Sequence, residues 1–202
     1  YVVTTLTPDG KPGQLHLSIS DASGDSAIFQ YVDGKLQIHH DRSYQVMTNS
    51  PVFDKQLALN EYWEEIGGLT MLPGTNRSAD RFARASFYIK TLPKTDQANE
   101  AVAGVMSVMR NVSVPMGIST PDQPNISTTL WRSVSDQQHR RYFFELTHLP
   151  NTFWVSMDKL DLTAGAPVRK LPLTEQQLYA GETAEKFVPA KAFRFLPASP
   201  KA

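Results

Sequence analysis

The sequence predicts a layered α+β domain, and three observations carry that expectation. Period-two apolar alternation with turn dipeptides opens the chain, helical period fills its middle, and strand-like stretches return afterwards. Strands grouped on either side of a block of helices describe sheets packed with helices, not alternating β-α-β units. The 202 residues are 41% hydrophobic, 10% aromatic and 20% charged, which excludes disordered and fibrous classes. A chain of this length buries roughly 70% of its unfolded surface, so one core forms without disulfides. No repeat, low-complexity block or linker divides it, and residues 1–202 read as a single domain.

The first expected strand covers residues 14–20, with Leu15, Leu17 and Ile19 on one half-buried face. Asp21-Ala22-Ser23-Gly24-Asp25 is turn chemistry. Residues 27–32 and 35–39 flank Asp33-Gly34, the signal of a two-residue hairpin. A further short strand is expected over residues 45–48, stopping at Asn49-Ser50-Pro51.

Leu59, Trp63 and Ile66 then recur at helical spacing, with Asp54 as N-cap and Gly67-Gly68 as the stop. Residues 69–77 form a loop turning at Pro73-Gly74. Ser78 is expected to cap a second helix whose apolar face is Phe82, Ala85, Ile89 and Leu92, ended by Pro93. A third helix over residues 96–112 aligns Ala98, Ala101, Val102, Val105, Met109 and Val112, and its methionines read as core filling. Strands are expected over residues 128–135, 140–147 and 152–158. The tail, with prolines at 167, 172, 189, 197 and 200, holds at most one short helix near residues 175–180.

Composition also narrows function. Twenty basic and twenty acidic side chains cancel, so no net field draws the chain to nucleic acid or an anionic membrane. The longest apolar run, residues 101–109, is interrupted by Ser107 and is too short to span a bilayer. Cysteine is absent, which excludes thiolate metal sites and any cysteine nucleophile supplied by these residues. His39-His40 beside Asp41 is a poor metal pair, because adjacent strand residues point to opposite faces. Glu61, Glu64 and Glu65 share the solvent side of a helix, and Arg140-Arg141 divide between the faces of a strand. The three Asn-x-Ser triplets at Asn76, Asn111 and Asn125 are too short to assign a function. There is no G-x-S-x-G, phosphate-binding loop or H-E-x-x-H.

Two segments stand apart. In Val46-Met47-Thr48-Asn49-Ser50-Pro51-Val52-Phe53-Asp54, a carboxamide ends a strand just before a proline-forced turn into a helix. Asn49 either bonds its own backbone to shape the turn or points its NH2 donors outward, as an oxyanion-hole side chain does. In Leu72-Pro73-Gly74-Thr75-Asn76-Arg77-Ser78-Ala79-Asp80-Arg81-Phe82, Arg81 lies in the first turn of a helix, where the macrodipole disfavours a cation.

Taken together, the two segments resemble the choloylglycine hydrolase family, which contains conjugated bile acid hydrolases and penicillin V acylases. Thr48-Asn49-Ser50-Pro51 with Phe53-Asp54 is similar to the family's T-N-[SN]-P-x-F-[DE] segment. Leu72-Pro73-Gly74 with Arg81-Phe82 and Arg84-Ala85 is similar to its L-P-G…R-F-x-[RK]-A segment. The region from Ser18 to Lys35 and, more loosely, the strands around Trp131 and Phe153-Trp154 extend the resemblance over essentially the whole chain. The short spacing between the two segments resembles the Gram-negative penicillin V acylase branch.

The resemblance implies an N-terminal nucleophile hydrolase with a four-layer αββα sandwich. In that family an N-terminal Cys attacks a linear amide carbonyl with its own α-amine as base. Carried onto this chain, Asn49 takes the oxyanion role and Arg81 supports the thiolate. The family's Cys lies in an N-terminal portion that this sequence does not contain. The chain opens mid-stride at Tyr1-Val2-Val3-Thr4-Thr5, so it is expected to be the C-terminal portion of a larger domain. It then needs the Cys-bearing segment as partner and is inactive by itself. The alternative is a catalytically inactive fragment or a binding domain that kept the fold and lost the nucleophile. No metal, cofactor, nucleic acid or membrane partner is expected, and a homo-oligomer stays open. The substrate is a small amide: penicillin V first, acyl-homoserine lactones next, conjugated bile acids third. The branch implies a periplasmic location.

Overall fold

The Asp33-Gly34 pair makes the turn expected of it. Both residues take positive φ, 50° and 74°, as a two-residue primed turn requires, and Val32 pairs with Lys35 across it. The computed structural model describes residues 16–117, 128–174 and 177–192. Within them β1 (Leu17–Ser20), β2 (Ser26–Val32) and β3 (Lys35–His40) form an antiparallel meander. Three helices follow: α1 (Phe53–Ile66), α2 (Ser78–Thr91) and α3 (Ala98–Asn111). The second sheet is the antiparallel set β4 (Trp131–Asp136), β5 (Arg141–Leu146) and β6 (Thr152–Ser156). Three two-residue strands come last: β7 (Arg169–Lys170), β8 (Gly181–Glu182) and β9 (Val188–Pro189). β8 extends the second sheet by pairing in parallel with β6, and β7 pairs with β9.

Element order follows the expectation, while several local assignments change. Residues 45–48 form no strand; Val46 and Met47 pack on the core and the polar groups of Thr48 bond Gln56 and Ser78. Asp54 is not the cap of α1. Val52 holds that position without a side-chain bond, and the Phe53 N–H donates instead to Gln30 Oε1 at 2.9 Å. A carboxamide from β2 thus satisfies one of the orphan donors of the helix start. Ser78 is the first residue of α2 and not its cap, a position taken by Arg77. Of the short helix expected near residues 175–180, residues 177–180 are not helical and residues 175 and 176 lie outside the described residues. Leu15, expected in the first strand, lies outside them too.

Among the described residues two clusters form the core. Ile28, Phe53 and Phe82 pack with Tyr44, Val46, Met47 and Leu57, joining β2 to α1 and α2. Met106, Val134 and Phe143 pack with Val102, Val105 and Trp154, seating α3 on the second sheet. Alternation in β2 sends Ile28 and Gln30 toward the helices. Leu17, Phe29 and Ile38 lie opposite one another in register and share the other face. Leu17 and Ile38, each 56% exposed, show that this is not the face that the helices cover. Period two says which residues share a face, but not which face a helix will take.

Candidate active site

The turn before α1 is built around a side chain from α1 itself. Gln56 is fully buried. Its Nε2 donates to the Thr48 carbonyl at 3.0 Å and to the Pro51 carbonyl at 2.5 Å, while its Oε1 accepts from the Thr48 N–H at 3.3 Å. The Thr48 hydroxyl lies 2.8 Å from Gln56 Oε1 and 2.8 Å from the Ser78 carbonyl. Asn49 and Ser50 are exposed at the tip of this brace. The bonds that shape the turn therefore come from Gln56.

Ser78 opens α2, so the Thr48 hydroxyl ties the turn to the start of the second helix. Arg81, half-buried in the first turn of α2, donates Nη2 to Ser78 Oγ and Nε to the Asn76 carbonyl, each at 3.2 Å. Burial, and then the neighbouring Arg84 guanidinium, hold Arg81 below the ordinary arginine value, and a guanidinium remains protonated all the same. Asp80, the nearest acid in sequence, accepts instead from the Thr75 hydroxyl at 2.5 Å. Arg84, 9% exposed, donates Nη1 to the carbonyls of Pro73 and Thr75 at 2.7 and 2.8 Å. It holds the loop that delivers the Asn76 carbonyl to Arg81.

The two singled-out segments thus meet through Ser78, with Asn49 one residue from Thr48 and Arg81 bonded to the Ser78 hydroxyl. The arrangement offers carboxamide donors and a cation from neighbouring helix starts, the donor set that suits a developing oxyanion or a thiolate. The other candidates stay apart. His39 packs its ring 4.9 Å from Phe53, while His40 on the opposite face bonds the Asp25 carboxylate at 3.0 Å. Arg140 pairs with Asp158 and Arg141 with Asp136. Among the described residues no group of three or more His, Asp or Glu could hold a metal.

Gln56, Gln30 and Arg84 were not singled out for any role by sequence. A signal existed for the first two. Gln30 occupies an inward position of β2 beside Ile28, and Gln56 follows Phe53 on the buried side of α1. A carboxamide at a core-facing position needs partners.

Residues 3–170 match the family model described as linear amide C–N hydrolases, choloylglycine hydrolase family. The penicillin V acylase of Pectobacterium atrosepticum is 47% identical over 212 residues, covering 96% of this chain and 56% of that protein. The bile salt hydrolase/transferase of Clostridium perfringens is 25% identical over 169 residues, covering 73% of this chain and 51% of that one. The structure of penicillin V acylase from Agrobacterium tumefaciens matches with TM-score 0.84 and 59% identity, over 90% of this chain and 58% of that one. The chain spans about half the length of the curated relatives it matches. This likeness identifies the fold as that of the N-terminal nucleophile hydrolases. With the family match running from residue 3 to residue 170, the chain belongs to the choloylglycine hydrolase family of linear amide C–N hydrolases.

Proposed function

We propose that this chain supplies the oxyanion donor and the cationic support for hydrolysis of a linear amide of the penicillin V type. The nucleophile is an N-terminal cysteine on a segment outside these residues, since the chain itself holds no cysteine. That segment is the required partner, and these residues alone are inactive. The thiolate adds to the amide carbonyl, and the Asn49 NH2 donates to the oxygen that becomes negative. The amine leaves with a proton from the α-ammonium of the cysteine, and water then cleaves the thioester. Arg81 stabilises the thiolate before attack, as a nearby cation lowers a thiol pKa.

The observation carrying this reading is the hydrogen bond from Thr48 Oγ1 to the Ser78 carbonyl, 2.8 Å. It joins the Asn49 turn to the helix start that holds Arg81. Penicillin V is favoured because the acylase of Pectobacterium atrosepticum is 47% identical and the bile salt enzyme of Clostridium perfringens only 25%. A periplasmic location rests on the branch resemblance alone.

The test uses the complete, processed enzyme. Asn49→Ala should lower kcat on penicillin V by roughly 10²–10³-fold, the usual effect of losing one oxyanion donor. A fully active Ala variant overturns the role. Penicillin V, an acyl-homoserine lactone and a glycine-conjugated bile acid should be compared by kcat/KM. A bile acid or lactone preference overturns the substrate choice, and no turnover of any of them leaves a non-catalytic binding domain.

A further inference from the structure

We propose that Gln56 is a positioning residue that sets the Asn49 carboxamide against the reacting carbonyl by bracing both ends of its turn. The inference rests on the oxyanion role proposed for Asn49. Gln56 is fully buried in the first turn of α1, where burying a carboxamide is unfavourable unless its hydrogen bonds are made. A methionine or leucine would fill the same volume with no polar demand. Three N–H···O bonds of Gln56 go to the residue before Asn49 and to Pro51, two residues after it, and its Oε1 shares the single Thr48 hydroxyl proton with the Ser78 carbonyl. Both groups receiving from Nε2 are carbonyls, which only accept, so the amide has one consistent orientation.

The brace extends further. The Thr48 hydroxyl that meets Gln56 Oε1 also reaches the Ser78 carbonyl, so one buried side chain registers the Asn49 turn against the start of α2. Asn49 is exposed at the tip, and the turn geometry that aims it comes from Gln56. A catalytic donor displaced by about 1 Å loses on the order of 10²-fold in rate.

The experiment compares four variants of the complete, processed enzyme: Gln56→Met, Gln56→Glu, Asn49→Ala, and Gln56→Met combined with Asn49→Ala. Gln56→Met should lower kcat on penicillin V by about 10–10²-fold, with KM changed by less than about 3-fold. In the Asn49→Ala background the same substitution should cost less than about 3-fold, because the donor it positions is already gone.

Gln56→Glu supplies a second readout, taken per folded molecule, with the folded fraction at each pH followed by tryptophan fluorescence. A protonated Glu keeps one O–H donor and one acceptor in nearly the shape of the amide, whereas an ionised one faces the Thr48 and Pro51 carbonyls with no donor. Its kcat, taken as a ratio to the parent at each pH, should rise as pH falls. This variant also keeps the test decisive if Gln56→Met does not fold. An undiminished Gln56→Met effect in the Asn49→Ala background, or no acid recovery of the Glu variant, overturns the inference. Asn49→Ala with full activity overturns the oxyanion role beneath it, which is a distinguishable result.

Discussion

Replacing Arg84 by methionine removes the cation that holds the loop ahead of α2. One nitrogen, Nη1, makes two short bonds, to the Pro73 carbonyl at 2.7 Å and to the Thr75 carbonyl at 2.8 Å. A hydrogen bond to a charged group is worth about 1.5–3 kcal/mol, but adding two such values overstates the loss. Thr75 is exposed, so water replaces its partner, whereas Pro73 is buried and its carbonyl stays unsatisfied at about 1–3 kcal/mol. Methionine also relieves the desolvation of a guanidinium that is only 9% exposed. The net expectation is a loss of about 2 kcal/mol. Urea unfolding, followed by tryptophan fluorescence, measures it. Arg84→Lys should recover less than half, because the lysine side chain ends one bond short of the Nη1 position that reaches both carbonyls. An Arg84→Met protein as stable as its parent, within about 0.5 kcal/mol, would show that the loop is held by something else.

Other consequences follow from single contacts. Burial pushes the Glu182 carboxyl up, but the Ser156 hydroxyl and N–H, the Ala184 N–H and Lys159 together bring it down from 4.5 to about 2. A depressed folded pKa contributes stability above the unfolded value and loses it as pH falls from 4.5 through about 2. The contribution is at most about 3 kcal/mol, so Glu182→Gln should flatten the acid limb of the stability curve; parallel curves for the two proteins would contradict it. Arg81→Ala should raise the pKa governing alkylation of the nucleophile by about 1–3 units, and an unchanged profile removes Arg81 from the thiolate. Burial raises the Glu145 carboxyl, yet bonds from Arg110 and Thr152 and the charge of Arg132 pull it below its ordinary range. Glu145→Ala leaves Arg132, whose side chain is 18% exposed, with the Ser113 hydroxyl but no carboxylate partner, and should cost about 3 kcal/mol. Adding Arg132→Met should restore part of that loss in the same unfolding assay, and simple additivity would refute the pairing.

The sequence by itself determined the local and the ordered features of this protein. Asp33-Gly34 specifies its hairpin because both residues tolerate positive φ. The helices and the return to strands are legible because turn chemistry and side-chain period act over a few residues, whereas the segments around Asn49 and Arg81 stand out through their resemblance to the family's motifs. Tertiary structure decided what happens between distant residues. The side-chain acceptor at the start of α1 is not Asp54 but Gln30, a residue 23 positions before the N–H it receives. Residues 45–48 read as a strand, yet Val46 and Met47 went to the core and Thr48 bonded a carbonyl 30 positions away. Leu17 and Ile38 share a face as period two requires, but the helices covered the other one. Gln56 and Arg84 show the same division, since period sets Gln56 beside Phe53 on the buried side of α1 but names no partner for either side chain. Their partners are backbone carbonyls that packing brings within reach, and no periodicity along the chain encodes which carbonyls those are.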